Sequence, residues 1–391
     1  MAAKRKSASK SAPQKPPITV MQVIPNMGAG GAEQTTVDVT AALVAAGHRA
    51  IIVSNGGPRV IELERAGGIH IQMPVHTKNP IRMWLNSRRL RALIRKYNVD
   101  IVHARSRAPA WSCFWACESS RAKFLTTCHA PFNISGEWKR KYNSSIAKGE
   151  LVIANSEFVA HYLVDQYALD PNKIRVIPRG IPLDKFQPNL VNGDRMLKMA
   201  QNWRIPEVST VVLLPGRLTR WKGQLVMIEA MARMARKDVY CVLVGDDQGR
   251  VEYRQELEDL IHDHHLEERV RIIGHCDDMP TAYMIADVVV SASTEPEGFG
   301  RVAVEAQAMG RPVIATDIGG SKETVVPGLT GWLIPPDDPD MLAQGIEFVL
   351  SLTEPEKKNL ADAAIAHVHT YFSKEQMTLS TLLVYDEILG R

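Results

Sequence analysis

The run Val288-Val-Val-Ser-Ala-Ser-Thr-Glu-Pro-Glu-Gly-Phe-Gly-Arg-Val-Ala-Val-Glu305 decides how the rest of the chain is read. It predicts a strand over 288–291, a glycine-rich turn, and a helix entered near Arg301. Gly298 and Gly300 allow a ligand to come close to the backbone. The free N–H groups and positive dipole end of the following helix suit a phosphate. Glu297 precedes the turn and Glu305 lies about one helical turn inside. Two carboxylates so placed can accept hydrogen bonds from two sets of sugar hydroxyls on either side of a diphosphate. Alone, a pair of glutamates is more often solvated than functional, and the surrounding pattern reverses those odds.

Outward from this segment, short β-rich runs alternate with helical stretches. In the first half the strands are read at 18–25, 50–54, 69–73, 101–103, 124–127, 151–154 and 174–176. A second set follows at 210–214, 240–244, 270–273, 288–291, 312–315 and 331–333. Strands alternating with helices imply parallel sheets covered on both faces. Periodicity weakens through 182–206, so the expectation is an α/β protein of two doubly wound, Rossmann-like domains, 18–190 and 191–370. A terminal helix over 371–391 is expected to cross back to the N-terminal domain. Sheets of this kind bind ligands beyond the carboxyl ends of their strands, where every motif below falls.

The bulk properties exclude several classes. The 391 residues exceed what one core usually supports. Hydrophobic residues at 45% and charged residues at 23% fit a soluble globular protein. No apolar run approaches the roughly 18–20 residues that span a bilayer. Residues 1–17 are basic, Ser-rich and Pro-rich without an apolar signal core, and read as a disordered arm. Five scattered cysteines suit reduced thiols in the cytoplasm. A net charge of +4 is too mild for nucleic acid as a partner.

A second constellation, Leu214-Pro-Gly-Arg-Leu-Thr-Arg-Trp-Lys-Gly-Gln224, also follows a strand. Arg217 is a planar fork and Lys222 a point charge, complementary devices for a departing diphosphate. The first strand ends in Pro25-Asn-Met-Gly-Ala-Gly-Gly-Ala-Glu33, whose glycines permit close approach at a helix N-terminus. His103 and His129 lie at strand ends, although a lone histidine is more often a packing residue than a catalyst. Asn155-Ser156 reads as an N-cap pair. The backbone near residues 273–278, Gly274 included, is expected to read the nucleotide base. Asp338-Pro339-Asp340 is a helix start rather than a metal motif. Asp246-Asp247 and Asp277-Asp278 are caps or loops, and no His/Cys/carboxylate set has metal-ligand spacing. No metal or cofactor is therefore expected. Residues 81–97 read as an amphipathic helix with its apolar stripe on the sheet and a basic face able to attract anionic lipid.

Glu297, seven intervening residues and Glu305, with Glu-Gly-Phe-Gly between, resemble the E-x7-E signature of retaining glycosyltransferase family 4. Ala306–Gly320 and Gly328–Pro335 resemble that family's continuation, and the likeness covers roughly residues 18–390. It implies the GT-B fold, two Rossmann-like domains facing across a cleft. It implies that Glu305 holds the nucleotide ribose, Glu297 the donor sugar hydroxyls, and the amides of Phe299, Gly300, Arg301 and Val302 the phosphates. Arg217 and Lys222 match the family's G-R-x5-K-G element. Gly30, Gly31 and Glu33 match a loop that meets the donor from the acceptor domain, and His129 resembles a histidine near the donor sugar. Ile177-Pro-Arg-Gly-Ile181 resembles the Pro-Asn-Gly element with Arg179 in place of Asn. The resemblance further implies retention of configuration and a donor such as GDP-mannose or a UDP-hexose. The implied acceptor is a glycan or lipid-linked glycan, as in lipopolysaccharide core or other envelope synthesis at the cytoplasmic face of the inner membrane. A nucleotide-sugar epimerase or hydrolase of the same fold, or a non-catalytic sugar-nucleotide-binding partner, are the alternatives.

Overall fold

The computed structural model describes residues 16–28, 30–132 and 134–391. The basic arm through residue 15 lies outside them. The chain divides into two compact units, residues 1–125 and 126–391.

The strands are β1 (Thr19–Val23), β2 (Arg49–Ser54), β3 (Ile69–Gln72), β4 (Ile101–Ala104), β5 (Lys123–Cys128), β6 (Leu151–Ala154) and β7 (Ile174–Val176), then β8 (Thr210–Pro215), β9 (Val239–Val244), β10 (Val270–Ile273), β11 (Val288–Ser291), β12 (Val313–Thr316) and β13 (Trp332–Ile334). The helices are α1 (Gly31–Ala45), α2 (Val60–Arg65), α3 (Pro80–Tyr97), α4 (Arg107–Cys117), α5 (Glu137–Asn143), α6 (Glu157–Tyr167), α7 (Gly193–Asn202), α8 (Gln224–Arg233), α9 (Val251–Asp263), α10 (Met279–Met284), α11 (Arg301–Ala308), α12 (Ser321–Thr324), α13 (Pro339–Ser351), α14 (Glu354–Tyr371) and α15 (Lys374–Ile388).

Every strand read from the sequence is present, within about two residues at each end. They form a seven-stranded sheet, β3-β2-β1-β4-β5-β6-β7, and a six-stranded sheet, β10-β9-β8-β11-β12-β13. The second sheet pairs in parallel from edge to edge, as do β1, β2, β3 and β4 in the first. Each is a doubly wound, Rossmann-like order whose direction reverses once, between β1 and β4 and between β8 and β11. A crevice opens at such a switch point, and the two richest sequence motifs follow β8 and β11.

Alternation along the strands fills both faces of the second sheet. Val212 and Leu214 join Met227, Met231 and Ile346 on one side. Val211 and Leu213 join Val289, Ala303, Val304 and Val368 on the other. In the first unit Val23, Val53 and Val102 pack against Leu90, Ile94, Cys113 and Ala116 of α3 and α4.

Two elements differ from the sequence expectation. Residues 193–202, read as irregular, form α7, started by the Asn192 side chain on the Arg195 amide; flanking Pro and Asn residues hide its short helical pattern. Helix α3 buries Met83, Leu90 and Ile94 as expected, yet Ile81, Trp84 and Leu85 are exposed. The Arg88 guanidinium lies 4.7 Å from the Trp84 ring centroid. No helix among the described residues is long and apolar enough to cross a membrane.

Candidate functional site

The site of the second unit is built from three turns that leave β8, β11 and β12. After β8, Leu218–Lys222 curls through a short 3-10 turn into α8. Gln224 Nε2 donates to the Arg217 carbonyl at 2.9 Å, which fixes the turn from within. After β11, the Thr294 amide donates to the Trp221 carbonyl at 2.8 Å, so the first two turns are joined by their backbones. From β12, Thr316 Oγ1 donates to the Ser293 carbonyl at 2.8 Å.

The glycines of the central turn serve close approach. Gly300 has φ +84°, favourable only without a side chain, and starts α11. A Cβ on Gly298 would overlap the His129 carbonyl, and one on Gly320 would lie 2.5 Å from the Phe299 Cα. The Gly320 amide donates to the Glu297 carbonyl at 2.9 Å. The segment 297–300 is therefore gripped on one side by the turn after β12 and on the other by the end of β5.

Charge is distributed along this wall. Lys222 Nζ donates to Glu297 Oε1 at 2.6 Å, and Ser293 Oγ donates to the same oxygen at 2.5 Å. Lys222 also lies 4.5 Å from the Trp221 ring centroid, which restrains the ammonium further. Eight residues beyond, Glu305 is buried on α11: Tyr283 donates to its Oε2 at 2.8 Å and Arg301 pairs with its Oε1 at 2.5 Å. Burial and the Glu305 charge push the Tyr283 phenol well above its usual pKa, so it remains a hydrogen-bond donor. The Arg217 side chain is exposed and makes no ion pair with a carboxylate among the described residues. It is an open cation beside a paired one.

Lys222 thus meets Glu297, Arg301 meets Glu305, His129 lies against Gly298 ahead of Gly300, and Arg217 sits in the turn that carries Lys222. The Phe299 ring is buried edge-to-face on Phe372 at 5.5 Å between centroids, leaving only its backbone for a ligand. Val302 is half-buried against the same core. Gly274 is exposed after β10. Arg179 is half-buried in the turn before Ile181, which bridges to Ser373 ahead of α15. Gly30, Gly31 and Glu33 belong to the first unit, where Glu33 folds back over Gly30 at the positive end of α1. His103 is fully buried in β4 opposite Gln22.

The carboxylates set aside from the sequence resolve locally. Asp338 caps α13 through the Met341 amide. Asp246 and Asp247 each accept an amide two residues on. Asp278 caps α10 and pairs with Arg195 through both oxygens. Among the described residues no group of three His, Cys, Asp or Glu side chains is placed to hold a metal.

Sequence reading passed over three residues that build this wall. Ser293 and Tyr283 orient the two glutamates, and a lone hydroxyl in a loop or helix gives no signal of that. Glu323, in α12, accepts from the amides of Glu157 and Phe158, far away in the chain.

Two family models match the chain, one ending at residue 185 and the other starting at residue 197. The model of Glycosyltransferase Family 4 matches residues 29–185, and that of Glycosyl transferases group 1 matches residues 197–367. Over 218 residues the chain is 34% identical to the D-inositol 3-phosphate glycosyltransferase of Geodermatophilus obscurus, covering 54% of this chain and 47% of that one. The chain spans about half the length of the curated relatives of this kind that it matches. A solved glycosyltransferase from Rickettsia africae ESF-5 superposes with TM-score 0.89 at 39% identity, over 95% of this chain and 99% of that chain. Anabaena Alr3699/HepE, solved in complex with UDP, shares the fold with TM-score 0.83 at 24% identity, over 95% of this chain and 100% of that chain.

Proposed function

This chain belongs to the group 1 glycosyltransferases, and from that premise we propose that it moves a hexose from a nucleoside-diphosphate sugar to a glycan or lipid-linked acceptor with retention of configuration and without a required metal. The observation that carries the reading is the Lys222–Glu297 pair at 2.6 Å near Arg217, which has no ion-pair partner among the described residues, at the strand ends that flank the switch point.

Each group has a task in that reaction. Arg217, Lys222 and the first amides of α11 offset the charge that gathers on the departing diphosphate, where stabilisation speeds the reaction most. Glu305, held by Tyr283 and Arg301, accepts from the ribose hydroxyls. Glu297 accepts from the sugar hydroxyls once Lys222 turns to the phosphate. On the same face of the sugar, the acceptor oxygen bonds to the anomeric carbon as its bond to the diphosphate breaks, and the acceptor proton passes to the leaving phosphate oxygen. Residues 191–370 take the donor. Residues 18–190, with Gly30, Gly31, Glu33 and His129, serve the acceptor side.

Anabaena Alr3699/HepE, in complex with UDP and with UDP-glucose, favours a UDP-hexose over GDP-mannose. For the acceptor, α3 exposes Ile81, Trp84 and Leu85 beside Arg82, Arg88 and Arg89. Such a face suits an anionic bilayer, and with it an envelope glycan such as lipopolysaccharide core made at the cytoplasmic face of the inner membrane. A thermal-shift screen of UDP-, GDP- and ADP-sugars tests the donor. A cognate donor at about 100 times its Kd stabilises the protein by about 2.7 kcal/mol. The proposal predicts that shift for one base and its loss in Arg217→Ala; the absence of a shift with every donor contradicts it.

A further inference from the structure

Helix α6 begins with an unusual set of partners. Its first amide, Glu157, donates to Glu323 Oε2 at 2.8 Å, and its second, Phe158, to Glu323 Oε1 at 2.7 Å. The third, Val159, donates to Ser156 Oγ at 3.1 Å. Helix N-termini leave such amides unpaired and favour negative charge, and here a carboxylate from α12 supplies it. Ser156 Oγ has one proton to give, and gives it to the Gly298 carbonyl at 2.6 Å, with Ser156 itself fully buried. Beside it, Asn155 Nδ2 donates to the His129 carbonyl at 2.9 Å, the same carbonyl that leaves no room for a side chain on Gly298.

A closed ring of contacts results. Ser156 holds Gly298, the residue after Glu297. Glu323 ties α6 to α12, and α12 follows Gly319-Gly320, whose backbone packs on Glu297 to Phe299. The start of α6 thus braces the Glu297 turn twice, directly through Ser156 and indirectly through Glu323.

We infer that Ser156 and Glu323 are positioning residues for the donor sugar: they set the orientation of Glu297 without touching the ligand. The inference rests on the reading of Glu297 as the group that meets the sugar. Sugar contacts should therefore depend on the brace, while nucleotide contacts through Glu305 and Arg217 should not.

The test compares the Kd of UDP with that of UDP-glucose, and of GDP with GDP-mannose, by titration calorimetry. The protein is wild type, Ser156→Ala, Glu323→Gln, Glu297→Gln, or Asp338→Ala, which removes a helix cap elsewhere. For the pair that binds, Ser156→Ala and Glu323→Gln are expected to raise the ratio of sugar-nucleotide Kd to nucleoside-diphosphate Kd about fivefold, as does Glu297→Gln. The nucleoside-diphosphate Kd stays within about twofold, and Asp338→Ala lowers the melting temperature but not the ratio. A ratio changed by Glu297→Gln but not by Ser156→Ala and Glu323→Gln overturns the inference and leaves the donor reading standing. Equal weakening of both ligands, or a ratio moved by Asp338→Ala, overturns it as well. A ratio unmoved by Glu297→Gln, or failure of both pairs to bind, removes the donor reading and the inference with it.

Discussion

Lys222 Nζ and Glu297 Oε1 lie 2.6 Å apart, and the two side chains retain only 12% and 13% of their exposure. Each therefore satisfies the other's charge in a region with little water. In the proposed reaction a donor diphosphate would offer the lysine a stronger partner and a sugar would offer the glutamate hydroxyl donors, so the pair is expected to exchange partners when substrate binds. Breaking a nearly buried pair on one side is costly because it strands the remaining charge.

Lys222→Met alone is accordingly expected to lower stability by about 3 kcal/mol in urea unfolding. Lys222→Met combined with Glu297→Gln should recover most of that loss, because no charge is stranded. Turnover should stay reduced by about a hundredfold or more in both. Recovery of activity along with stability would show that the pair is only structural.

Arg217 separates the two effects. Arg217 is exposed and has no ion-pair partner among the described residues, so Arg217→Ala should change stability by no more than about 0.5 kcal/mol. Turnover should nevertheless fall about a hundredfold, and Arg217→Lys should restore only part of it, since a point charge cannot make the forked contact. Melting curves and initial rates on the same preparations decide this.

The fold was legible because its signals are local. A strand, a glycine turn and a helix lie within 288–305, and the Asp338-Pro339 helix start is written in two adjacent residues. What stayed hidden depends on distant partners. Ser156 was readable as a cap for α6, but its second bond, to Gly298, spans 142 positions. Glu323 looks like an ordinary first-turn acid of a short helix; its role lies in amides 165 and 166 positions earlier. On α3, apolar residues lie on two faces, and periodicity cannot choose which of Met83 or Trp84 turns inward.

Acid should destabilise the protein through His367. Burial holds this imidazole below its usual 6.5, between Tyr371 and Phe372 at 5.1 and 5.3 Å. Its Nε2 has no hydrogen-bond partner among the described residues. The unfolded chain binds the proton more readily than the folded one, so this contribution is complete above 6.5 and is lost as pH falls through the lower folded value. His70 is depressed by burial as well and acts in the same direction. Melting temperature measured stepwise below 6.5 should fall less steeply in His367→Leu than in wild type; an unchanged slope would assign the effect elsewhere.

The exposed face of α3 makes a separate prediction. Vesicles containing phosphatidylglycerol should sediment the protein, and neutral phosphatidylcholine vesicles should not. Each arginine near the surface contributes about 1 kcal/mol, so Arg88→Ala should weaken binding about fivefold. Trp84→Ala should weaken it further through lost apolar contact. Equal binding to both vesicle types would remove anionic lipid as the partner of this face.

The exchange of partners by Lys222 can be seen directly in a crystal structure with the donor that the thermal-shift screen selects. The account predicts Lys222 Nζ within about 3.2 Å of a diphosphate oxygen, Glu297 turned to the sugar hydroxyls, and Glu305 on the ribose. A structure in which Lys222 remains on Glu297 while the diphosphate binds elsewhere would contradict it.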